Sequence, residues 1–279
     1  MRFPRNRRPM AMYNSCSAAP TNCICMRIIL ITQDDPFYLP ENLDYLLGNL
    51  PQHSEVVGCV VSAVSPFGKN ESFAAKARRT FNVFGLVFFI RYALQYLIAK
   101  SPNIPTVRSV LRRHAIPEIP LDGSINSESS LNALRALSPD LLISIAGNEI
   151  FRKPLIELAP FGCLNLHTAL LPKYRGLMPT FWVLKNGEEE TGVSVFYVDE
   201  GIDSGPILVQ ERLAIGTLTQ KELIKRTKLL GMKAIIKAIE KIHEGDTETL
   251  PNEKELSTYF GFPTRDDVRA FRKAGARFF

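Results

Sequence analysis

The sequence lacks the features that hold a small secreted protein together. Its five cysteines, in 279 residues, show no disulfide framework, and Cys23 and Cys25 are too close in sequence for a CxxC redox or zinc site. No apolar stretch of the signal-peptide kind precedes Met26, so we do not expect a secretory leader. These absences favour a reducing compartment, and we expect a cytoplasmic protein without structural disulfides.

Internal repeats and low-complexity tracts are also missing, which leaves an ordinary globular fold. At 46% hydrophobic and 22% charged residues, the chain can bury a substantial core. The net charge of +6 would ordinarily raise a nucleic-acid partner. However, residues 1–25 carry +4 and residues 263–279 carry +3, so residues 26–262 sum to −1. We therefore expect no nucleic-acid partner, and a basic RNA-binding protein remains a weak alternative.

Residues 1–25 contain four arginines and no acidic residue, a composition that superficially resembles an organelle transit peptide. Their few apolar residues follow no periodic pattern, so they cannot bury enough surface to offset the entropy of ordering. We expect a disordered basic tail. Whether translation starts at Met1 or at Met26 stays open.

Continuous apolar runs alternate with helical patterns in the first half of the chain. Met26–Thr32, Glu55–Val64 and Leu141–Ala146 predict buried parallel strands. Glu41–Leu50 and Asn126–Leu137 predict helices between them. This alternation predicts an α/β fold with a doubly wound, mostly parallel sheet, in which ligands bind beyond the carboxyl ends of the strands.

The second half predicts shorter strands and one long helix. Cys163–His167, Gly192–Val198 and Ile207–Leu213 read as strands. Thr219–Glu244 has one apolar stripe at helical spacing, and Gly245-Asp246 ends it.

Three polar side chains in this half suit acyl transfer. Asn165 and His167 are two residues apart on a predicted strand, so their side chains project from one face. Asp203 lies in a glycine-rich loop between two strands. An amide can donate to a developing oxyanion, an imidazole can donate and move protons, and a carboxylate can orient the imidazole. Taken singly, each is more often a packed or turn residue.

The order of the motifs resembles a known family. Asn165-Leu166-His167, followed by Leu170-Leu171-Pro172-x-Tyr174-Arg175-Gly176, is similar to the motif of the 10-formyltetrahydrofolate-dependent formyltransferases. Asp203 falls in a D-x-G-x-D-x-G-P run similar to theirs. The resemblance covers about residues 26–245. One departure is Thr168-Ala169 after the histidine, where the family commonly has Pro-Ser; this alters the folate loop and removes no catalytic residue.

The resemblance implies a formyltransferase-like Rossmann-type core and a catalytic triad of Asn165, His167 and Asp203. In that family the asparagine binds the formyl oxygen, the histidine stabilises the tetrahedral intermediate, and the aspartate supports the histidine and moves protons through water. The co-substrate would be 10-formyltetrahydrofolate, with no metal. The implied cofactor-binding residues, acting mainly through their backbone, are Ala146, Gly147, Asn148, Glu149, Ile150, Phe151, Asp199 and Gly201. The implied substrate-binding residues are Tyr174, Arg175 and Gly176.

The acceptor follows only by elimination. Family members that act on methionyl-tRNA carry a folded β-barrel after the catalytic domain, and 29 residues follow Leu250 here. Glycinamide ribonucleotide enzymes are compact and would not need residues 69–113. A small-molecule amine, most plausibly a nucleotide-linked amino sugar, fits best. Methionyl-tRNA and glycinamide ribonucleotide remain alternatives, as does a catalytically inactive binding protein with this fold. A homodimer stays open.

This gives two expected regions after the tail at 1–25: a catalytic domain at 26–250, with an insertion at 69–113, and a C-terminal basic extension at 251–279. The insertion contains nine basic residues and one acid, and its middle, residues 81–99, has a single charge, Arg91. Three interpretations compete for residues 81–99. They are a core helix, a peripheral helix that contacts an anionic membrane, and a membrane span, which Arg91 disfavours.

We predict that a chain beginning at Met26 keeps the stability and the activity of the full sequence, because residues 1–25 lack any periodic apolar pattern. Thermal unfolding and turnover of the two chains, compared side by side, measure this. A large loss of either property in the shorter chain would contradict the prediction.

Overall fold

The computed structural model describes residues 25–64, 72–147 and 149–279. The predicted tail therefore lies outside the described residues except for Cys25, as do positions 65–71 and Asn148. The strands are β1 Met26–Gln33, β2 Ser54–Ser62, β3 Leu141–Ile145, β4 Cys163–His167, β5 Arg175–Gly176, β6 Glu190–Tyr197, β7 Ile207–Ala214 and β8 Tyr259–Phe260.

Six of these strands form one sheet in the order β2-β1-β3-β4-β6-β7. The pairs from β2 to β4 are parallel, whereas β4 pairs with β6, and β6 with β7, in the antiparallel sense. The loop at residues 198–206 returns the chain from β6 into β7, so these two consecutive strands run antiparallel. The predicted doubly wound, mostly parallel sheet is confirmed, and each of its six strands matches a predicted strand within two residues.

The helices cover both faces of the sheet and one of its ends. They are α1 Leu39–Gly48, α2 Phe73–Phe84, α3 Leu86–Ala99, α4 Val107–Arg113, α5 Glu128–Ala136, α6 Lys153–Ile156, α7 Pro179–Lys185, α8 Gln220–Glu244 and α9 Arg265–Lys273. The long helix α8 begins at a capping box, in which the Thr219 hydroxyl accepts from the Glu222 amide. It ends at Gly245, whose φ of +81° is the left-handed conformation that glycine adopts at helix ends.

Each face of β1 packs into a different core. Ile28 and Leu30 are buried with residues of α1 and α8, whereas Ile29 and Ile31 are buried with residues of α5. Because the strand is covered on both sides, its sequence is a continuous apolar run rather than an alternating one. This two-sided burial explains why the strand can be recognised from the sequence.

A third core lies beyond the sheet and joins distant parts of the chain. Phe181 of α7, Phe271 of α9 and Phe278 are buried together, and Phe84 of α2 packs against them. The two-residue strand β8 pairs with β5. The stretch expected as a C-terminal basic extension, residues 251–279, therefore packs directly onto the region expected as the catalytic domain.

The apolar segment 81–99 is divided between two helices. Gly85 separates α2 from α3 with a φ of +84°, a conformation that interrupts a right-handed helix. Only Phe84 in α2 and Ala99 in α3 are buried, so the interpretation as a core helix is wrong. In the part of the chain that the structure describes, no helix is both long and apolar enough to cross a membrane.

We predict that Gly231→Ala destabilises the fold, although alanine normally favours a helix. A Cβ at Gly231 would lie 2.6 Å from a methyl group of Leu166, the residue between Asn165 and His167. Overpacking of this kind costs about 1 to 3 kcal/mol. Urea denaturation measures it, with Gly48→Ala in α1 as the control, because no atom lies within 4 Å of that Cβ. Equal stability of the two variants would contradict the prediction.

Candidate active site

Asn165 and His167 lie at the carboxyl end of β4, where the parallel half of the sheet meets the antiparallel half. Their side chains share one face of the strand, and Leu166 packs from the opposite face against α8. His167 is buried, with 6% of its surface exposed, and Asn165 is half-buried. The Asn165 amide makes no hydrogen bond to any residue that the structure describes, so its donor is available to a ligand.

The His167 ring is held from two sides. Its Nε2 lies 2.7 Å from the carbonyl oxygen of Tyr174, and its Nδ1 lies 3.6 Å from Oδ2 of Asp203. Since a carbonyl oxygen can only accept, Nε2 carries the proton in this hydrogen bond. Nδ1 is therefore the ring nitrogen that faces the Asp203 carboxylate.

Asp203 is oriented by the motif loop that follows β4. Its Oδ2 accepts a hydrogen bond of 2.8 Å from the amide of Gly176, the same oxygen that faces His167. Its backbone is left-handed, with a φ of +48°, a conformation that aspartate adopts more readily than most residues other than glycine. The structure thus brings together His167, Asp203 and the Tyr174–Gly176 segment, as the sequence predicts for the first two.

The loop that carries Asp203 has its own internal bonds. Oδ1 of Asp199 accepts from the amide of Gly201 and from the hydroxyl of Ser204, at 3.1 and 2.6 Å. At Gly205, a Cβ would lie 1.8 Å from the Tyr197 carbonyl oxygen, so only glycine fits. Asp199 therefore stabilises the loop through its Oδ1. Gly201, which donates to that oxygen, is exposed.

Asn252 joins this loop to the arginine of the motif. Its side-chain amide donates to the backbone oxygens of Asp203 and Gly205, at 3.0 and 2.8 Å. Its side-chain oxygen accepts from Nη2 of Arg175 at 2.7 Å. Sequence reasoning missed Asn252, because it lies 49 residues from Asp203 and belongs to no motif.

Of the three expected substrate-binding residues, two have their side chains already engaged. The Tyr174 hydroxyl donates to Glu188 at 2.5 Å, and burial, helped by this carboxylate, raises the pKa of Tyr174 to about 12. Arg175 is 8% exposed, and its Nη2 donates to Asn252, whereas its buried Nε has no hydrogen-bond partner among the described residues. Gly176 contributes its backbone amide to Asp203. The backbone groups of Tyr174 and Gly176 therefore contact the triad, and Arg175 supports it through Asn252.

The expected cofactor-binding segment follows β3 at the same edge of the sheet. Ala146 has a φ of +59°, and a Cβ at Gly147 would lie 2.5 Å from the Ser144 hydroxyl. Glu149 accepts a hydrogen bond of 2.6 Å from the hydroxyl of Ser124, so its carboxylate joins the segment after β3 to the loop before α5.

Asn148 lies outside the described residues, and the last two positions of the segment differ from each other. The Phe151 ring is buried in the core beneath the sheet, whereas the Ile150 side chain is 54% exposed. A ligand at this edge would meet the backbone of the segment and the Ile150 side chain. No group of three or more metal-binding side chains occurs within the described residues.

Known proteins resemble this chain in sequence and in fold. A sequence profile described as "Formyl transferase" matches residues 105–239. The methionyl-tRNA formyltransferase of Thermotoga maritima is 34% identical over 244 residues, which cover 87% of this chain and 67% of that protein. The same enzyme of Kosmotoga olearia is 39% identical over 167 residues, 59% of this chain and 53% of that protein. The chain thus spans about half the length of several curated relatives that it matches.

Solved structures share the fold. Glycinamide ribonucleotide transformylase 1 of Symbiobacterium toebii superposes with a TM-score of 0.57 at 18% identity, over 85% of this chain and 99% of that one. An N-formyltransferase of Helicobacter canadensis, in complex with folinic acid and dTDP-3-aminofucose, gives 0.54 at 17% identity, over 90% and 80%. The sheet and the site at the end of β4 define a Rossmann-like transferase fold. The chain belongs to the formyl transferase family.

We predict that Asn252→Ala lowers both the stability and the turnover of the protein. The substitution removes an acceptor from the buried Arg175 and two donors from the Asp203 loop, which together contribute about 2 to 3 kcal/mol. Urea denaturation and an activity assay measure the two effects. Asn103→Ala is the control, since that asparagine is exposed. An unchanged unfolding midpoint for Asn252→Ala would show that the loop does not need this residue.

Proposed function

We propose that the protein transfers a formyl group from 10-formyltetrahydrofolate to a primary amine of a small acceptor, and that this acceptor is a nucleotide-linked amino sugar. One observation carries the chemistry. His167 lies between the Tyr174 carbonyl and the Asp203 carboxylate, beside the unbonded amide of Asn165, in a chain of the formyl transferase family. An available amide next to an oriented imidazole is what acyl transfer to an amine requires.

In the proposed reaction, Asn165 donates a hydrogen bond to the formyl oxygen while the amine adds to the formyl carbon. Negative charge then develops on that oxygen, and the protonated His167 stabilises it from Nδ1. The proton that the amine loses balances the proton that the departing folate nitrogen gains. Asp203 holds the imidazolium in place and lies where a water could carry this proton. 10-Formyltetrahydrofolate supplies the formyl group when bound.

The segment after β3 is the proposed folate site. Its backbone groups at Ala146 and Gly147 would bond the edge of the pterin, and Ile150 would cover one face of the ring. Gly147 is exposed and has no side chain, so a pterin could approach its backbone amide and carbonyl. Tyr174, Arg175 and Gly176 would act on the acceptor side, mainly by holding the loop that carries Asp203.

Three observations support a small acceptor. The chain after Leu250 packs against the site through β8 and the third core, and residues 26–262 carry a net charge of only −1. A neighbour of the same fold was crystallised with dTDP-3-aminofucose. A second candidate acceptor is methionyl-tRNA, because the relatives with 34–39% identity described above carry that name.

The test is a panel of acceptors with 10-formyltetrahydrofolate, in which mass spectrometry detects the formylated product. We expect product with a dTDP-linked amino sugar and none with glycinamide ribonucleotide or charged methionyl-tRNA. Product with the tRNA alone would establish the second candidate. Folate binding without product from any acceptor would instead favour an inactive binding protein.

We predict that Asp203→Asn lowers kcat by about 100- to 1,000-fold, because the imidazolium of His167 that stabilises the oxyanion loses the carboxylate that holds it. The asparagine has the same shape and can still accept from Gly176, so folding should be unaffected. Glu200→Gln, at an exposed carboxylate in the same loop, is the control and should keep its activity. Wild-type turnover in Asp203→Asn, with an unchanged circular dichroism spectrum, would reject the proposed role of this carboxylate.

A further inference from the structure

The outward face of α2 and α3 is unusually apolar. Ten of the seventeen large apolar side chains that are exposed in the described residues lie between Phe73 and Ile104. Surface helices normally present polar residues to solvent, so this concentration indicates a contact with something outside the chain. The outward stripe of α3, which we call the α3 stripe, comprises Leu86, Val87, Ile90, Leu94, Leu97 and Ile98.

The opposite face of α3 holds the helix on the body of the protein. Phe88 packs against Phe278 and Phe279, with ring centroids 4.9 and 5.3 Å apart. Tyr92 packs against Phe37, in the loop after β1, at 5.0 Å. The helix is therefore attached through its aromatic residues, and its aliphatic residues are the ones left facing outward.

The chain segment that carries the stripe is strongly basic. The sequence from residue 72 to residue 117 contains eight basic residues and no acid. Arg108 and Arg113 pair with acids of neighbouring elements. Arg91 lies 4.5 Å over the Phe279 ring and Lys100 lies 5.5 Å over the Tyr96 ring, contacts that leave both charges unneutralised.

We propose that the α3 stripe docks on an anionic lipid surface. An aliphatic stripe flanked by cations matches the boundary between acyl chains and negatively charged headgroups. The same charges oppose docking of a second copy of the chain, since two such faces would repel each other. The α3 helix has 14 residues, about 21 Å in length, and would lie in the plane of the headgroups. This inference goes beyond the proposed function and does not depend on it.

Docking in this way has a consequence for the site. Because Tyr92 contacts the loop after β1, α3 lies beside the carboxyl edge of the sheet, the same edge that carries His167. A docked protein would hold this edge close to the lipid surface. Acceptors concentrated at such a surface would then be near the proposed reaction.

The experiment is co-sedimentation of the full chain with phosphatidylcholine vesicles, with and without phosphatidylglycerol. We expect binding only to the anionic vesicles. We also expect this binding to be lost at high salt, because the ions screen the attraction between the basic residues and the headgroups. Val87→Ser combined with Leu94→Ser and Leu97→Ser should weaken binding more than tenfold. Arg78→Gln combined with Lys100→Gln should weaken it by roughly fivefold for each charge.

Matched controls use residues of the same type elsewhere on the surface. Leu229→Ser with Leu256→Ser, and Lys225→Gln with Lys233→Gln, remove exposed apolar groups and charges away from α3, and should leave binding unchanged. Circular dichroism of each variant confirms that it folds.

Three outcomes would overturn the proposal. They are no binding to anionic vesicles, equal binding to neutral vesicles, or a wild-type chain that is dimeric while the stripe variant is monomeric. Formylation of a soluble acceptor, measured in parallel, distinguishes failure of this proposal from failure of the proposed function.

Discussion

The single oxygen Oδ2 of Asp203 is the point on which the site depends. It accepts from the Gly176 amide and faces Nδ1 of His167, so it fixes the motif loop and the imidazole relative to each other. The Tyr174 carbonyl closes the arrangement from the other side of the ring. Strand β4 sets the position of the histidine, and the loop after β6 sets that of the aspartate. The site exists only where these two segments meet.

Support for this arrangement comes from further out. Asn252 bonds the backbone of the Asp203 loop, the Thr258 hydroxyl accepts from the Tyr174 amide at 2.8 Å, and β8 pairs with β5. The segment that carries these groups is anchored in turn by Phe271 and Phe278 in the third core. The catalytic loop is therefore held by residues well outside the sheet. Their contribution is geometric, and none of them touches the histidine.

Strands β1 and β3 of the central sheet could be predicted because they are buried on both faces. Such strands need continuous apolar residues, as in Met26–Gln33. Asn165, His167 and Asp203 could be proposed because two of them share a strand and all three fit one motif order. The contact between His167 and Asp203 is now seen, whereas the catalytic roles remain predictions.

Other features could not be read from the chain. Residues 81–99 are as apolar as a core helix, and their composition does not say that Gly85 breaks the segment or that the aliphatic side chains face outward. Apolar periodicity shows which face of a helix is apolar, but it does not show what that face packs against. The role of Asn252 could not be predicted either, since a single asparagine in a polar stretch forms no recognisable sequence pattern. Tyr174 was expected near the acceptor, yet its hydroxyl bonds Glu188, a contact that depends on tertiary packing.

The pairing of β5 with β8 also bears on how the protein is made. Asp203, His167 and Tyr174 leave the ribosome well before Asn252 and Phe260. A nascent chain that ends after α8 contains every strand of the sheet and the helix that covers it, yet its motif loop lacks the strand that pairs with β5. The chain must therefore be synthesised as far as β8 before the contacts that hold the motif loop can all form.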